Sequence, residues 1–76
     1  MINLMLEIDE LGTKRWRNKK GQLHRENGPA IIYSNRSMFW RINDKYHRID
    51  GPACVWQNGY KFWYLNKNLV RIFEYD

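Results

Sequence analysis

Short apolar runs alternate with polar turns along the chain. Ala30-Ile31-Ile32-Tyr33 leads into Ser34-Asn35-Arg36-Ser37, and Ala53-Cys54-Val55-Trp56 leads into Gln57-Asn58-Gly59-Tyr60. A second run follows each turn: Met38-Phe39-Trp40-Arg41-Ile42-Asn43, then Lys61-Phe62-Trp63-Tyr64-Leu65-Asn66. Runs this short, rich in aromatic and β-branched residues and bounded by Gly, Asn and Ser, predict strands joined as hairpins. Asn58-Gly59 is a strong two-residue hairpin signal. Gly12 precedes Trp16 as Gly59 precedes Trp63, which predicts a first hairpin from Leu4–Asp9 and Thr13–Asn18. Gly28-Pro29 and Gly51-Pro52 each open a new strand, because proline is tolerated at a strand start and not within a ladder. No stretch carries a helical period of useful length. The expected fold class is all-β, with consecutive antiparallel β-hairpins in a short twisted sheet.

The chain also repeats itself. His24-Arg25-Glu26-Asn27-Gly28-Pro29-Ala30 returns as His47-Arg48-Ile49-Asp50-Gly51-Pro52-Ala53. At the same offset, Asn35/Asn58, Phe39/Phe62, Trp40/Trp63, Asn43/Asn66, Arg48/Arg71 and Ile49/Ile72 continue the match. Residues 24–49 and 47–72 agree at 11 of 26 positions, so the two segments are copies of one unit. Trp16 joins the series one residue out of step, because of an insertion in Arg17–Leu23. A period of this length means stacked supersecondary units. The expected organisation is a single domain over 1–76, with hairpin repeats near 4–23, 24–46 and 47–69 and a capping strand over 70–76.

The period set by His24 and His47, an aromatic-x-x-Asn/Gly opening and a glycine-led second strand together resemble the MORN-type repeat. The Leu-His-Arg-x-x-Gly-Pro-Ala core, seen here as Leu23-His24-Arg25-Glu26-Asn27-Gly28-Pro29-Ala30, is similar to a variant found in small phage and large-virus proteins. The resemblance covers roughly residues 12–70. It implies a MORN-like repeat sheet and a role in protein or lipid contact. The chain departs from the pattern at Arg36, where Gly is expected, and at Val70, which replaces a third His. The third repeat is therefore degenerate and is read as a cap.

Strand alternation assigns faces. With Trp16, Trp40 and Trp63 on one face, Ile42 and Leu65 join them. The repeat adds Leu6/Ile8, Ala30/Ile32 and Ala53/Val55, and this set is the expected core. The opposite face carries Glu7, Asp9, Arg15, Arg17, Ile31, Tyr33, Phe39, Arg41, Cys54, Trp56, Phe62 and Tyr64. Two readings of it stand: a mixed basic and aromatic surface, or a second buried face covered by the tail or by another subunit. So few repeats make a thin stack, which points to a homodimer or to a capping strand that includes Ile72-Phe73-Glu74-Tyr75.

Length and composition narrow the function. Seventy-six residues exclude a large enzyme with a deep cleft. Thirteen Lys and Arg against eight Asp and Glu give a net charge of +5, which suits an anionic partner or plain solubility. The charge is uneven: residues 1–12 hold three acids and no base, whereas residues 14–25 hold six bases and no acid. One cysteine, Cys54, forbids an internal disulfide and suits a reducing cytoplasm. The N-terminal run lacks a basic leader and a small-residue cleavage site, and no apolar run is long enough for a membrane span. A cytoplasmic protein without membrane contact is expected.

Catalytic and metal chemistry find little footing. His24 and His47 occupy the same place in two repeats, each beside an Arg and before a Gly-Pro turn. Duplication of this kind belongs to structural turns, so His24, Arg25, Gly28, Pro29, His47, Arg48, Gly51 and Pro52 are read as turn builders that bond backbone groups. Two distant His and one Cys make no metal site. Cys54 takes the place of Ile31 and reads as a small strand hydrophobe. Neither a catalytic residue nor a cofactor is expected.

Two binding functions compete. In the first, Arg15, Arg17, Lys19, Lys20 and Arg41 hold phosphates while Phe39 and Tyr64 stack on unpaired bases, as in RNA-binding sheets. In the second, exposed aromatics or an open sheet edge occlude a protein partner, with Tyr33, Trp56 or Tyr60 as the anchors. The resemblance to small phage proteins adds a specific expectation. It is a phage-encoded, stoichiometric inhibitor of a host defence protein, a toxin or a nuclease, acting through RNA, protein contacts or both in the host cytoplasm.

Overall fold

The computed structural model describes residues 4–73, and among them the regular structure is all β. Nine strands run in order: β1 (Met5–Ile8), β2 (Lys14–Arg17), β3 (Ile31–Ile32), β4 (Met38–Phe39), β5 (Arg41–Ile42), β6 (Lys45–Tyr46), β7 (Cys54–Val55), β8 (Lys61–Leu65) and β9 (Asn68–Phe73). Seven form one antiparallel sheet in the order β1-β2-β3-β4-β7-β8-β9, and β5 and β6 form a small hairpin beside it. The first hairpin pairs Leu6 with Trp16 and Glu7 with Arg15. The run predicted as one strand over 38–43 is divided at Trp40. Its N–H bonds Ala53 in the main sheet at 2.7 Å, and its carbonyl accepts from His47 N–H at 3.2 Å. The last strand begins at Asn68 rather than at residue 70, and residues 74–76 of the expected cap lie outside the described residues.

Two turn types alternate along the chain. The hairpin ends at Asp9–Thr13, Tyr33–Ser37 and Trp56–Tyr60 share one pattern. The first residue donates to the fifth residue's carbonyl, and the fourth residue's N–H returns to the first carbonyl. The fourth residue is left-handed each time: Gly12 at φ +89°, Arg36 at +77° and Gly59 at +97°. This is a type I turn closed by a bulge, so Asn58-Gly59 does not form the two-residue turn its sequence predicts. Instead Asn58 Oδ1 accepts from Tyr60 N–H, as Asn35 Oδ1 accepts from Ser37 N–H. Two-residue turns with both residues left-handed occur at Asn43-Asp44 (φ +48° and +67°) and Asn66-Lys67 (φ +49° and +68°).

The core lies on the face opposite to the one expected. Ile31, Phe39 and Cys54 are buried, and Leu23, Tyr33, Tyr46, Phe62 and Tyr64 pack around them. Of the predicted core, Ala30 and Ala53 are fully buried, whereas Leu6, Ile8 and Leu65 are exposed. The chain measures 38 × 28 × 15 Å. On the tryptophan face, Arg25, Arg48 and Arg71 lie over Trp16, Trp40 and Trp63, and the buried cluster of Ile31, Phe39 and Cys54 lies on the aromatic face.

Candidate functional site

Each repeat builds the same turn on the tryptophan face. His24 Nδ1 accepts Asn43 N–H at 3.0 Å, and His47 Nδ1 accepts Asn66 N–H at 3.0 Å. Each ring thus caps the left-handed Asn of the following two-residue turn, a donor that would otherwise lack a partner in the ladder. Arg25 lies 3.9 Å over Trp16, and its guanidinium donates to the Pro29 carbonyl at 3.3 Å. Arg48 lies 3.8 Å over Trp40 and donates to the Pro52 carbonyl at 3.1 Å. Gly28 and Gly51 lie against these guanidiniums. A Cβ at Gly51 would stand 2.8 Å from Arg48 Cζ, and one at Gly28 would stand 3.1 Å from Arg25 Cζ. Arg71 lies 4.9 Å over Trp63, so the stack persists where the third histidine has become Val70.

Between the two successive turns lies an open groove of about 860 Å³. Trp40 and Ile42 line it together with Pro29 and Ile49, and Glu26 and Asp50 supply carboxylates. Arg25 and Arg48 also border the groove, but their guanidiniums are engaged by ring faces and turn carbonyls.

The residues expected to bind nucleic acid do not assemble as a stacking and phosphate surface. Phe39 is 5% exposed and sits at the centre of the core, so it offers no ring to a base. Tyr64 is half-buried against Tyr46, with ring centres 4.9 Å apart. Arg15 pairs with Asp9 at 2.9 Å and Arg17 with Glu7 at 2.9 Å. The acidic N-terminal segment thus neutralises the start of the basic cluster that follows it. Arg41 lies 4.4 Å over Tyr46 and donates to the Asp44 carbonyl. Lys19 and Lys20 stand exposed on the loop after β2 and have no ion-pair partner among the described residues. Alternation placed Arg15 and Phe39 on one face, as the strand register does, but it could not show that this face holds the buried cluster.

The protein-contact set does come together. Tyr33 and Trp56 flank Phe39 at ring-centre distances of 5.5 and 5.0 Å, both edge-to-face. Trp56 is 42% exposed, and Tyr60 closes the same turn, with its carbonyl accepting Trp56 N–H at 2.9 Å. Both edges of the sheet are also open and apolar: Met5, Leu6 and Ile8 on β1, and Leu69, Val70, Ile72 and Phe73 on β9. An open sheet edge is the other contact surface expected for a protein partner. Leu69 and Ile72 stand one repeat after Tyr46 and Ile49, and the strand order puts them on the outermost strand among the described residues.

Burial and ion pairing shift the titration of several groups. Burial pushes the Cys54 thiol up to about 11, against the opposing effect of Arg41, which suits packing and not nucleophilic chemistry. The Arg15 guanidinium, bonded to Asp9, holds that carboxyl below the usual carboxylate range. Among the described residues no group of three or more His, Cys, Asp or Glu is placed to hold a metal ion. Among them, too, no helix is long and apolar enough to cross a membrane. No known protein family, curated protein or solved structure matches this chain.

Proposed function

We propose that this chain is a non-enzymatic module that binds another protein through the Tyr33–Phe39–Trp56 ridge, with Tyr60 at its rim. One observation carries the reading. Trp56 is exposed, yet it is held edge-on against buried Phe39 at 5.0 Å at the end of a hydrogen-bonded turn. An exposed aromatic fixed in this way has little side-chain freedom left to lose on docking, which favours an anchor residue. In the setting implied by the MORN-like resemblance, the partner is a host defence protein, a toxin or a nuclease, occluded stoichiometrically by a phage product.

The test is a pull-down from host extract with the wild-type chain and with Trp56→Ala, washed at low and at high salt, with circular dichroism to check the fold. The expected result is a protein retained by the wild type at high salt and lost with Trp56→Ala. Retention of RNA alone, with affinity falling steeply as salt rises, would support the nucleic-acid reading and overturn this one.

A further inference from the structure

β9 is the longest strand of the sheet and one of its two open edges. All six residues from Asn68 to Phe73 are exposed, and Arg71 alone among them is charged. An exposed apolar edge of this kind is a ready template for pairing with another chain. We propose that two copies of this chain associate by antiparallel pairing of β9 with β9, in the register that sets Leu69 opposite Ile72 of the second copy.

The register follows from the bulge in β9. Trp63 faces Arg71, but Tyr64 faces Leu69, so Val70 is an extra residue in the strand. Residues opposite one another in an antiparallel pair share a face. In a regularly alternating strand of six residues, complete overlap with itself would oppose residues of different faces. The extra residue corrects this. Leu69 and Ile72, paired with Tyr64 and Phe62, both lie on the aromatic face. Asn68 and Phe73, paired with Leu65 and Lys61, both lie on the tryptophan face. Complete overlap then matches face with face, and Arg71 meets Val70 instead of a second Arg71.

The pairing also finishes a core that stops short. Tyr46 is half-buried because Tyr64 of the next repeat covers it. Leu69 stands one repeat after Tyr46 and is 47% exposed, on the outermost strand among the described residues. Ile72 of the second copy supplies that cover.

The other edge fits less well. β1 has four residues and no bulge, so full self-overlap would oppose different faces. Joining β1 of one copy to β9 of another by simple continuation of the sheet would bring together strands running the same way. Parallel pairs are slightly less stable, and head-to-tail contacts propagate without closing. The β9 pair is closed by its two-fold axis. Six residues per copy bury less than the roughly 800 Å² per partner of a standard interface, so the dimer is expected to be weak and concentration-dependent.

The experiment is sedimentation equilibrium across concentration, with a register-specific cross-link as the second measurement. The expected mass rises from 9.4 kDa towards twice that value and no further, and Leu69→Lys/Ile72→Lys remains at 9.4 kDa. Leu69→Cys and Ile72→Cys chains, mixed and oxidised, are expected to form a disulfide-linked pair, and each alone is expected to stay uncrosslinked. Like positions in this register lie about 10 Å apart, beyond disulfide reach. The cross-link decides the matter even if the double lysine variant does not fold. A wild-type chain still at 9.4 kDa near 1 mM, where a dimer of millimolar affinity is substantially formed, overturns the proposal. So does a mass that grows past the dimer, or a cross-link as strong in Leu69→Cys alone as in the mixture. Trp56→Ala leaves the dimer unchanged, so failure here is distinct from failure of the aromatic-ridge reading.

Discussion

The Arg48 guanidinium lies 3.8 Å from the centre of the Trp40 ring and at the same time donates to the Pro52 carbonyl. One side chain thus covers an apolar ring and satisfies a turn. Arg48→Lys keeps the charge but loses the planar group that does both. The expected loss is about 2 kcal/mol, the sum of a partly desolvated cation–π contact and one hydrogen bond. Urea unfolding of Arg48→Lys and Arg48→Ala measures it, and loss of less than a quarter of that value would show the stack to be incidental.

The two histidines differ in burial while making the same bond. His24 is 7% exposed, whereas His47 is half-buried nearer the uncovered end of the sheet. Replacing His24 by Ala leaves the Asn43 N–H without its acceptor in a drier place. His24→Ala is therefore expected to destabilise by about 2 kcal/mol and His47→Ala by about 1 kcal/mol. Equal losses in chemical denaturation would show that the two turns do not differ in this way.

Arg36 occupies a left-handed position that Gly12 and Gly59 fill in the equivalent turns. A side chain there strains the backbone by about 1–2 kcal/mol, and glycine gives back part of the gain through its freer unfolded chain. Arg36→Gly is expected to stabilise the fold by about 0.5–1 kcal/mol, a rise of several degrees in melting temperature for a chain of this size. A lower melting temperature would mean that Arg36 makes a contact worth more than the strain.

Cys54 connects the core to a pH effect. Burial raises its thiol to about 11. The folded state thus disfavours the thiolate, and the resulting stability is complete below the unfolded thiol's ordinary value and is lost as pH rises through about 11. Alkylation by iodoacetamide at pH 8 is expected to be slow in the folded chain and to accelerate sharply in urea. Equal rates in both conditions would place Cys54 outside the core.

Much of the local structure was legible because it is written in short-range chemistry. The constant offset between like residues located the units, since His47 repeats the bond of His24 and Arg48 repeats the stack of Arg25. Gly12 and Gly59 marked their turns through the left-handed backbone that only glycine adopts freely. The two-residue turns at Asn43-Asp44 and Asn66-Lys67 were missed, because Asn followed by Asp or Lys is a weaker signal than Asn-Gly. Phe39 was read as a stacking platform for a longer-range reason: it shares a face with Arg15, and burial of that face depends on what packs beside it.

The sequence by itself determined the hairpin pattern, the repeat length, the glycine-marked turns and which side chains of a strand share a face, because each depends on residues a few positions apart. Only the tertiary structure decided which face is the core. Both faces offer aromatics, and the choice turned on the arginines. Arg25, Arg48 and Arg71 fold back over Trp16, Trp40 and Trp63 and cover that face without a second layer. That leaves Ile31, Phe39 and Cys54 to bury one another on the other side. That β9 is an outer strand among the described residues is likewise a property of the assembled sheet, since an edge exists only once its neighbours are in place.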